Sequence, residues 1–276
     1  MSEKGTRTGL RRALLVLALQ WLTLGQAAAE IIISPLRQVI TPQAPLAVFE
    51  ISNPADRIID VKTDWIDMRA LAEGYAIASP DERRTLSAAP YLTVSPAFVR
   101  LEPGERATVT IKLQPGVAPP PGERRSHLLF TSDVQRTPVK KAGGLQADIG
   151  LGVSAPVILR RGRTDVEANF FNTALVRDED GDLVLETHVE RRGAHSTFGR
   201  LVADFAPAND YAPLSAWPKV IDNATIHVDA PPQNFALPLN IEALPTGRLT
   251  LRYEGRAEYA GIVFAEKVFE IAAPSE

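Results

Sequence analysis

The sequence predicts an all-β chain built from β-sandwich domains, and three observations carry that expectation. Segments rich in β-branched and aromatic residues recur at short intervals, each bounded by Pro, Gly, Asn or Asp. No stretch shows a convincing helical periodicity, which argues against alternating strand–helix units. The chain has 276 residues, enough for two domains that each bury a core.

The first residues are expected to be an address rather than structure. Lys4, Arg7, Arg11 and Arg12 precede the apolar run ALLVLALQWLTL (residues 13–24), and Ala27, Ala28 and Ala29 offer small residues for a cleavage site. This pattern reads as a cleavable secretory signal over residues 1–29. A membrane anchor is the competing reading, but the run falls short of the roughly 20 residues that cross a bilayer, and no later stretch is apolar enough to insert. The whole chain carries a formal charge of −3, and loss of the basic leader makes the remainder more acidic. That balance argues against a nucleic-acid partner, because phosphate neutralisation needs clustered Lys and Arg. There is no cysteine. An exported chain without disulfides must be stable through burial alone, which excludes a small stapled scaffold.

Strand candidates follow in order: LAVFEISN (46–53), IIDVKTDWIDM (58–68), RATVTIKL (106–113), SHLLFTSD (126–133) and LQADIGLGVSAPVIL (145–159). Between them, residues 71–90 read as a polar, irregular loop. Residues 114–125 are too proline-rich for a regular element and are expected to cross between sheet edges. The charged segment RRGRTD (160–165) marks the boundary between domains. Beyond it lie DLVLETHVER (182–191), GRLVADFA (199–206), FALPLNI (235–241), GRLTLRYEG (247–255) and AGIVFAEKVFEI (260–271), with DEDGD (178–182) supplying a hairpin turn. In the longest strand, Leu145, Ala147, Ile149, Leu151 and Val153 share one parity, while the other parity holds Gln146, Asp148, Gly150, Gly152 and Ser154. Alternation puts the apolar set on one face. The residues alone leave open whether that face packs on its own core or meets another protein.

Enzyme chemistry finds little support. The four histidines (His127, His188, His195, His227) lack metal-ligand spacing, and cysteine ligands are absent, so no metal is expected. His195 and Ser196 are adjacent, which in a strand would point them to opposite faces and prevent a base–nucleophile pair. No nucleophile elbow, phosphate loop or dinucleotide fingerprint occurs, and DEDGD lacks the spacing and terminal Glu of a calcium loop. The chain therefore reads as a non-enzyme with no catalytic residues and no cofactor.

Several segments, taken together and in order, resemble the PapD-like periplasmic chaperones of pilus and fimbrial assembly. ISPLRQVI (33–40) is similar to the family's first strand. FEISNPADRIIDVKTDWI (49–66) is similar to its second and third, with a Ser-Asn turn and a late tryptophan. VSPAFVRLEPGERATVTIKL (94–113) carries the strongest signature, PPGERRSHLLF (120–130) resembles the segment before strand F, and the stretch from residue 143 running to SAPVILRRG (154–162) resembles strand G and its exit to the hinge. The residues agree with this: an X-Pro bond at Pro96 or Pro103 could be cis, Trp65 suits a sandwich core, and Asn53 before Pro54 suits a side-chain-bonded turn.

The resemblance implies two immunoglobulin-like β-sandwich domains in an L-shaped arrangement, residues 30–161 and 162–276. It implies cell-wall work in the periplasm, fimbrium biogenesis by donor-strand complementation. Strand G (145–159) would lend Leu145, Ala147, Ile149, Leu151 and Val153 to a pilin-like secreted subunit, which is then delivered to an outer-membrane usher. Arg37 matches the first of two basic residues that hold the subunit's terminal carboxylate. The second, a lysine in the family, falls at Pro156 here. Arg160, a possible cleft or hinge residue, matches the family's hinge arginine, and the hinge acid falls at Arg125, with Glu123 or a domain-2 acid as substitutes. A sticky strand edge also suggests a self-capping homodimer. The alternatives are a periplasmic or surface two-domain Ig-like binding or adhesion module without strand donation, and, resting on the compartment alone, an exported hydrolase.

Overall fold

The computed structural model describes residues 31–132, 152–208 and 217–272, and these form two β-sandwiches. The leader expected over residues 1–29 lies outside the described residues. Among the described residues no helix is long and apolar enough to cross a membrane.

The first sandwich contains β1 (Ile32–Ser34), β2 (Gln38–Ile40), β3 (Leu46–Ser52), β4 (Ile59–Ile66), β5 (Met68–Ala70), β6 (Tyr75–Ile77), β7 (Leu92–Ser95), β8 (Phe98–Leu101), β9 (Arg106–Leu113), β10 (Gly122–Ser132) and β11 (Gly152–Arg161). One sheet runs β1-β3-β9-β7, the other β2-β11-β10-β4-β8, and β5 and β6 form a separate hairpin. Two stretches switch sheets: β1 pairs with β3 while β2 joins β11, and β7 pairs with β9 while β8 joins β4. Pro35 and Pro96, each after a cis peptide bond, stand at the two switches. This is the strand arrangement of an immunoglobulin-like sandwich.

Its core follows from alternation. Ala47, Phe49 and Ile51 of β3 face Leu128 and Phe130 of β10 and Ala155, Val157 and Leu159 of β11, all buried. Phe49 and Phe130 meet edge-on with ring centroids 5.7 Å apart. Trp65 is only partly buried and packs against this cluster from its side.

Asn53 closes β3 with a polar knot. Its Oδ1 accepts from the Ala55 N–H at 2.9 Å, the expected side-chain turn, and its amide donates to the carbonyls of Arg57, Leu101 and Glu102 at 2.7, 3.1 and 3.1 Å. Asn53 is buried, so Asn53→Ala would strand those groups. The expected loss is about 1–3 kcal/mol, read as a lower midpoint in denaturant unfolding.

Two loop expectations need correction. Residues 71–90 hold β6, a helix α1 (Pro80–Leu86) and a 3₁₀ turn at Ala89–Tyr91. The helix start was encoded locally: Ser79 caps Glu82 N–H, Glu82 reaches back to Ser79 N–H, and Pro80 occupies the first turn. At the end of the segment 114–125, residues from Gly122 onward already belong to β10. Pairing with β11 extends the strand through charged residues whose composition hides it.

The second sandwich contains β12 (Glu167–Arg177), β13 (Leu183–Arg192), β14 (Gly199–Pro207), β15 (Lys219–Ala224), β16 (Gln233–Pro238), β17 (Gly247–Gly255) and β18 (Val263–Ile271). Its sheets run β12-β13-β16 and β15-β14-β17-β18, again immunoglobulin-like, around Leu185, Val189, Leu201, Leu249, Leu251 and Tyr253. Asp178 builds the β12–β13 hairpin by accepting from the N–H groups of Asp180 and Asp182, with Gly181 at φ 88°.

Candidate functional site

The outer face of the β10–β11 sheet meets the second sandwich. Even-numbered Leu128 and Phe130 enter the core, which turns Glu123, Arg125 and His127 to the opposite face. Antiparallel register places Arg160 beside Glu123, Ile158 beside Arg125 and Pro156 beside His127. Glu123, Arg125, His127, Ile158 and Arg160 are buried although they face away from their own core, because domain 2 and the β5–β6 hairpin cover them.

Two polar struts cross the boundary. In the first, Glu123 is enclosed: its Oε2 accepts from Arg160 Nε at 2.7 Å and from the Ser196 N–H at 3.0 Å, and its Oε1 accepts from the Ser196 hydroxyl. Arg160 also donates to Glu258 Oε1 at 2.7 Å and stacks over Tyr259. Burial opposes the charge on Arg160, but the neighbouring Glu123 and Glu258 outweigh it and hold the guanidinium protonated. Burial pushes the Tyr259 hydroxyl up to about 12.

Arg37, just before β2, joins the same carboxylate. It grips Glu258 with both terminal nitrogens, NH2 to Oε1 at 2.6 Å and NH1 to Oε2 at 3.1 Å, and lies 4.2 Å over the Phe198 ring. Burial raises the Glu258 carboxyl, yet the Arg37 hydrogen bonds and charge bring it below the ordinary range.

The second strut inverts the expected polarity. Arg125 donates to Asp229 Oδ2 at 3.1 Å and to the Met68 carbonyl at 3.0 Å, while Asp229 Oδ2 also accepts the Ala70 N–H at 2.7 Å. The β5–β6 hairpin lies alongside: Tyr75 hydroxyl and His227 Nε2 are 2.8 Å apart, and Gln233 donates to the Leu71 carbonyl. His127 sits edge-on to Tyr75 at 5.2 Å. Burial, then the Arg125 charge, depress the His127 imidazole to about 4 and hold His227 well below its usual range.

Between the struts lies a cavity of about 610 Å³. Pro35, Leu36, Arg37 and Pro156 line it from one side, with Tyr75 from the hairpin and Phe198, Thr225 and His227 from domain 2. Arg37 and Pro156, matched with the two anchoring positions in the sequence, thus share one wall. Pro156 brings no charge there; the second cation on Arg37's carboxylate is Arg160.

Of the expected donor residues, Leu145, Ala147, Ile149 and Leu151 lie outside the described residues. Val153 is described, opposite Phe130, and is 38% exposed. It shares parity with Ala155, Val157 and Leu159, which are buried in the core. The apolar face therefore packs on its own domain at those three positions and becomes open at Val153. On the other edge of β11, β2 pairs in parallel only with Val157, Ile158 and Leu159. Among the described residues no strand covers that edge at residues 152–156.

His195 and Ser196 sit in the turn before β14, not in a strand. His195 is bonded at the Asp165 backbone and Ser196 at Glu123, so they share no proton. His188 is exposed on β13. Among the described residues no group of His, Asp and Glu could hold a metal ion. Asp229, Ser196, His227 and Glu258 come from three loops of domain 2, and nothing local in sequence marks them.

No family model matches the sequence, and no curated protein does either. Solved structures with a similar chain path include the YadV chaperone (10% identity, TM-score 0.45, covering 88% of this chain and 100% of that one). The class 5 fimbriae chaperone CfaA is similar too (10%, 0.44, 88% and 100%). So is the Salmonella enterica SafB chaperone in complex with the SafA pilin (14%, 0.39, 89% and 98%). What the fold and the site define by themselves is a two-domain immunoglobulin-like protein with a polar interdomain cleft.

Proposed function

We propose that this protein is a divergent PapD-like periplasmic chaperone, non-enzymatic, that binds pilin-like secreted subunits by strand donation and delivers them to an outer-membrane usher. In this reading a leader over residues 1–29 is removed, residues 30–161 form the L-shaped molecule's chaperone domain, and residues 162–276 form the second. Leu145, Ala147, Ile149, Leu151 and Val153 enter the subunit's groove, and a homodimer caps the strand in the free protein.

The observation that carries this reading is the edge of β11 at residues 152–156, which no strand covers among the described residues and which lies in line with β2 and Arg37. An incoming strand there would continue β2's position, parallel to β11. Its C-terminus would then abut Arg37, whose planar guanidinium suits a carboxylate. Main-chain bonds would set the register, and burial of the apolar face would supply roughly 25 cal/mol per Å² before binding costs.

Burial of Ala155, Val157 and Leu159 in their own core favours the adhesion-module reading for those three residues, so the test falls on Val153. Val153→Glu is expected to leave the melting temperature nearly unchanged, because an exposed substitution shifts stability by only about 0.5 kcal/mol. It should abolish recovery of a co-expressed pilin-like subunit from periplasmic extracts. Undiminished capture by the variant, or a subunit that stays soluble without this protein, would overturn strand donation.

A further inference from the structure

The Arg37 guanidinium is already occupied. Glu258 holds it bidentately, and the same Oε1 is shared with Arg160 at 2.6 and 2.7 Å. Arg37 lines the 610 Å³ cavity and Glu258 lines a smaller one of about 170 Å³ beside Arg160 and Tyr259, so the ion pair lies between the two spaces.

We propose that Glu258 is an internal stand-in for a partner's carboxylate, holding Arg37 in the free protein and exchanging it for a chain terminus that enters the cleft. This rests on the reading of Arg37 as an anchor. The exchange conserves pairing. Arg37 gives up one carboxylate and gains another, while Glu258 keeps the hydrogen bond to Arg160 and is 27% exposed, with water at hand. No buried charge is left alone, which is the costly outcome. Without Glu258 the free protein would hold a guanidinium only 16% exposed with no counter-charge from that side chain. Glu258 therefore competes with the partner and protects the empty site, and Arg160 is the positioning residue that receives it.

The experiment uses the mature protein and a labelled synthetic peptide of alternating Val and Thr, prepared with a free C-terminal carboxylate and as the carboxamide. By fluorescence anisotropy, Glu258→Gln should bind the free acid about tenfold more tightly than the wild type, with no gain for the amide. Arg37→Met should erase the acid–amide difference in both backgrounds. If Glu258→Gln brings no gain while Arg37→Met still erases the difference, the stand-in is overturned and the anchor remains. If acid and amide bind alike even in Glu258→Gln, the anchor reading fails and the stand-in with it. Should Glu258→Gln melt early, Glu258→Asp, which shortens the reach to Arg37 and keeps the charge, is expected to show the same selective gain; a loss there overturns the proposal.

Discussion

Glu123→Ala is expected to lower the stability of the two-domain unit by about 3–5 kcal/mol, the range for breaking a buried ion pair from one side. The Glu123 side chain is wholly buried and answers Arg160 Nε and both the N–H and hydroxyl of Ser196. Removing it leaves a buried guanidinium with Glu258 as its one carboxylate and strips the Ser196 N–H and hydroxyl of their acceptor. Because Ser196 belongs to domain 2, the loss should appear as separation of the domains, with a first melting transition at lower temperature. Glu123→Gln should cost less, since its carbonyl oxygen can still accept from Ser196. A single unshifted transition for Glu123→Ala in calorimetry would show that this strut does not couple the domains.

Acidification should release the second strut. His127 is held neutral, with its imidazole depressed to about 4 by burial first and the Arg125 charge second. The unfolded imidazole titrates near 6.5, so between about 6.5 and 4 the unfolded state binds the proton that the folded state refuses. Stability therefore falls as pH drops through that window and levels off below it. A shift of this size corresponds to about 3 kcal/mol from His127. His227 is lowered in the same direction by burial, by Arg125 and by His127. Facing these groups are Arg125, Asp229 and Tyr75, with Arg37 and Arg160 further off. Only Asp229 offers a negative charge, and it is already bonded to Arg125 and the Ala70 N–H. Urea midpoints measured across this range should flatten in His127→Gln. An unchanged pH profile in that variant would exclude His127 as the titrating group.

How much of this was legible in the sequence differs from element to element. Strands such as β9, β14 and β17 stand where alternating apolar residues place them, because alternation reports directly on a face that packs. The Asn53–Ala55 and Asp178 turns were readable because those bonds reach only two to four residues along the chain; Asn53's bonds to the Leu101 and Glu102 carbonyls, 48 and 49 positions away, were not. The Ser79–Glu82 capping box around α1 was equally local. The start of β10 was not readable: Glu123, Arg125 and His127 look like a solvated charged face until a second domain covers them.

The sequence by itself determined the all-β class and the hairpin at residues 178–182. The resemblance to a known family brought Arg37 and Arg160 forward as candidates. Only the tertiary structure decided their partners. Glu258 and Asp229 are separated from Arg37 and Arg125 by 221 and 104 positions, and they meet only when domain 2 docks on the β10–β11 sheet. The same docking turned the missing acid at Arg125 into a strut of reversed sign. Local pattern records what each strand does with its neighbours in the chain; which charge faces which is settled by the surface on which the folded domains meet.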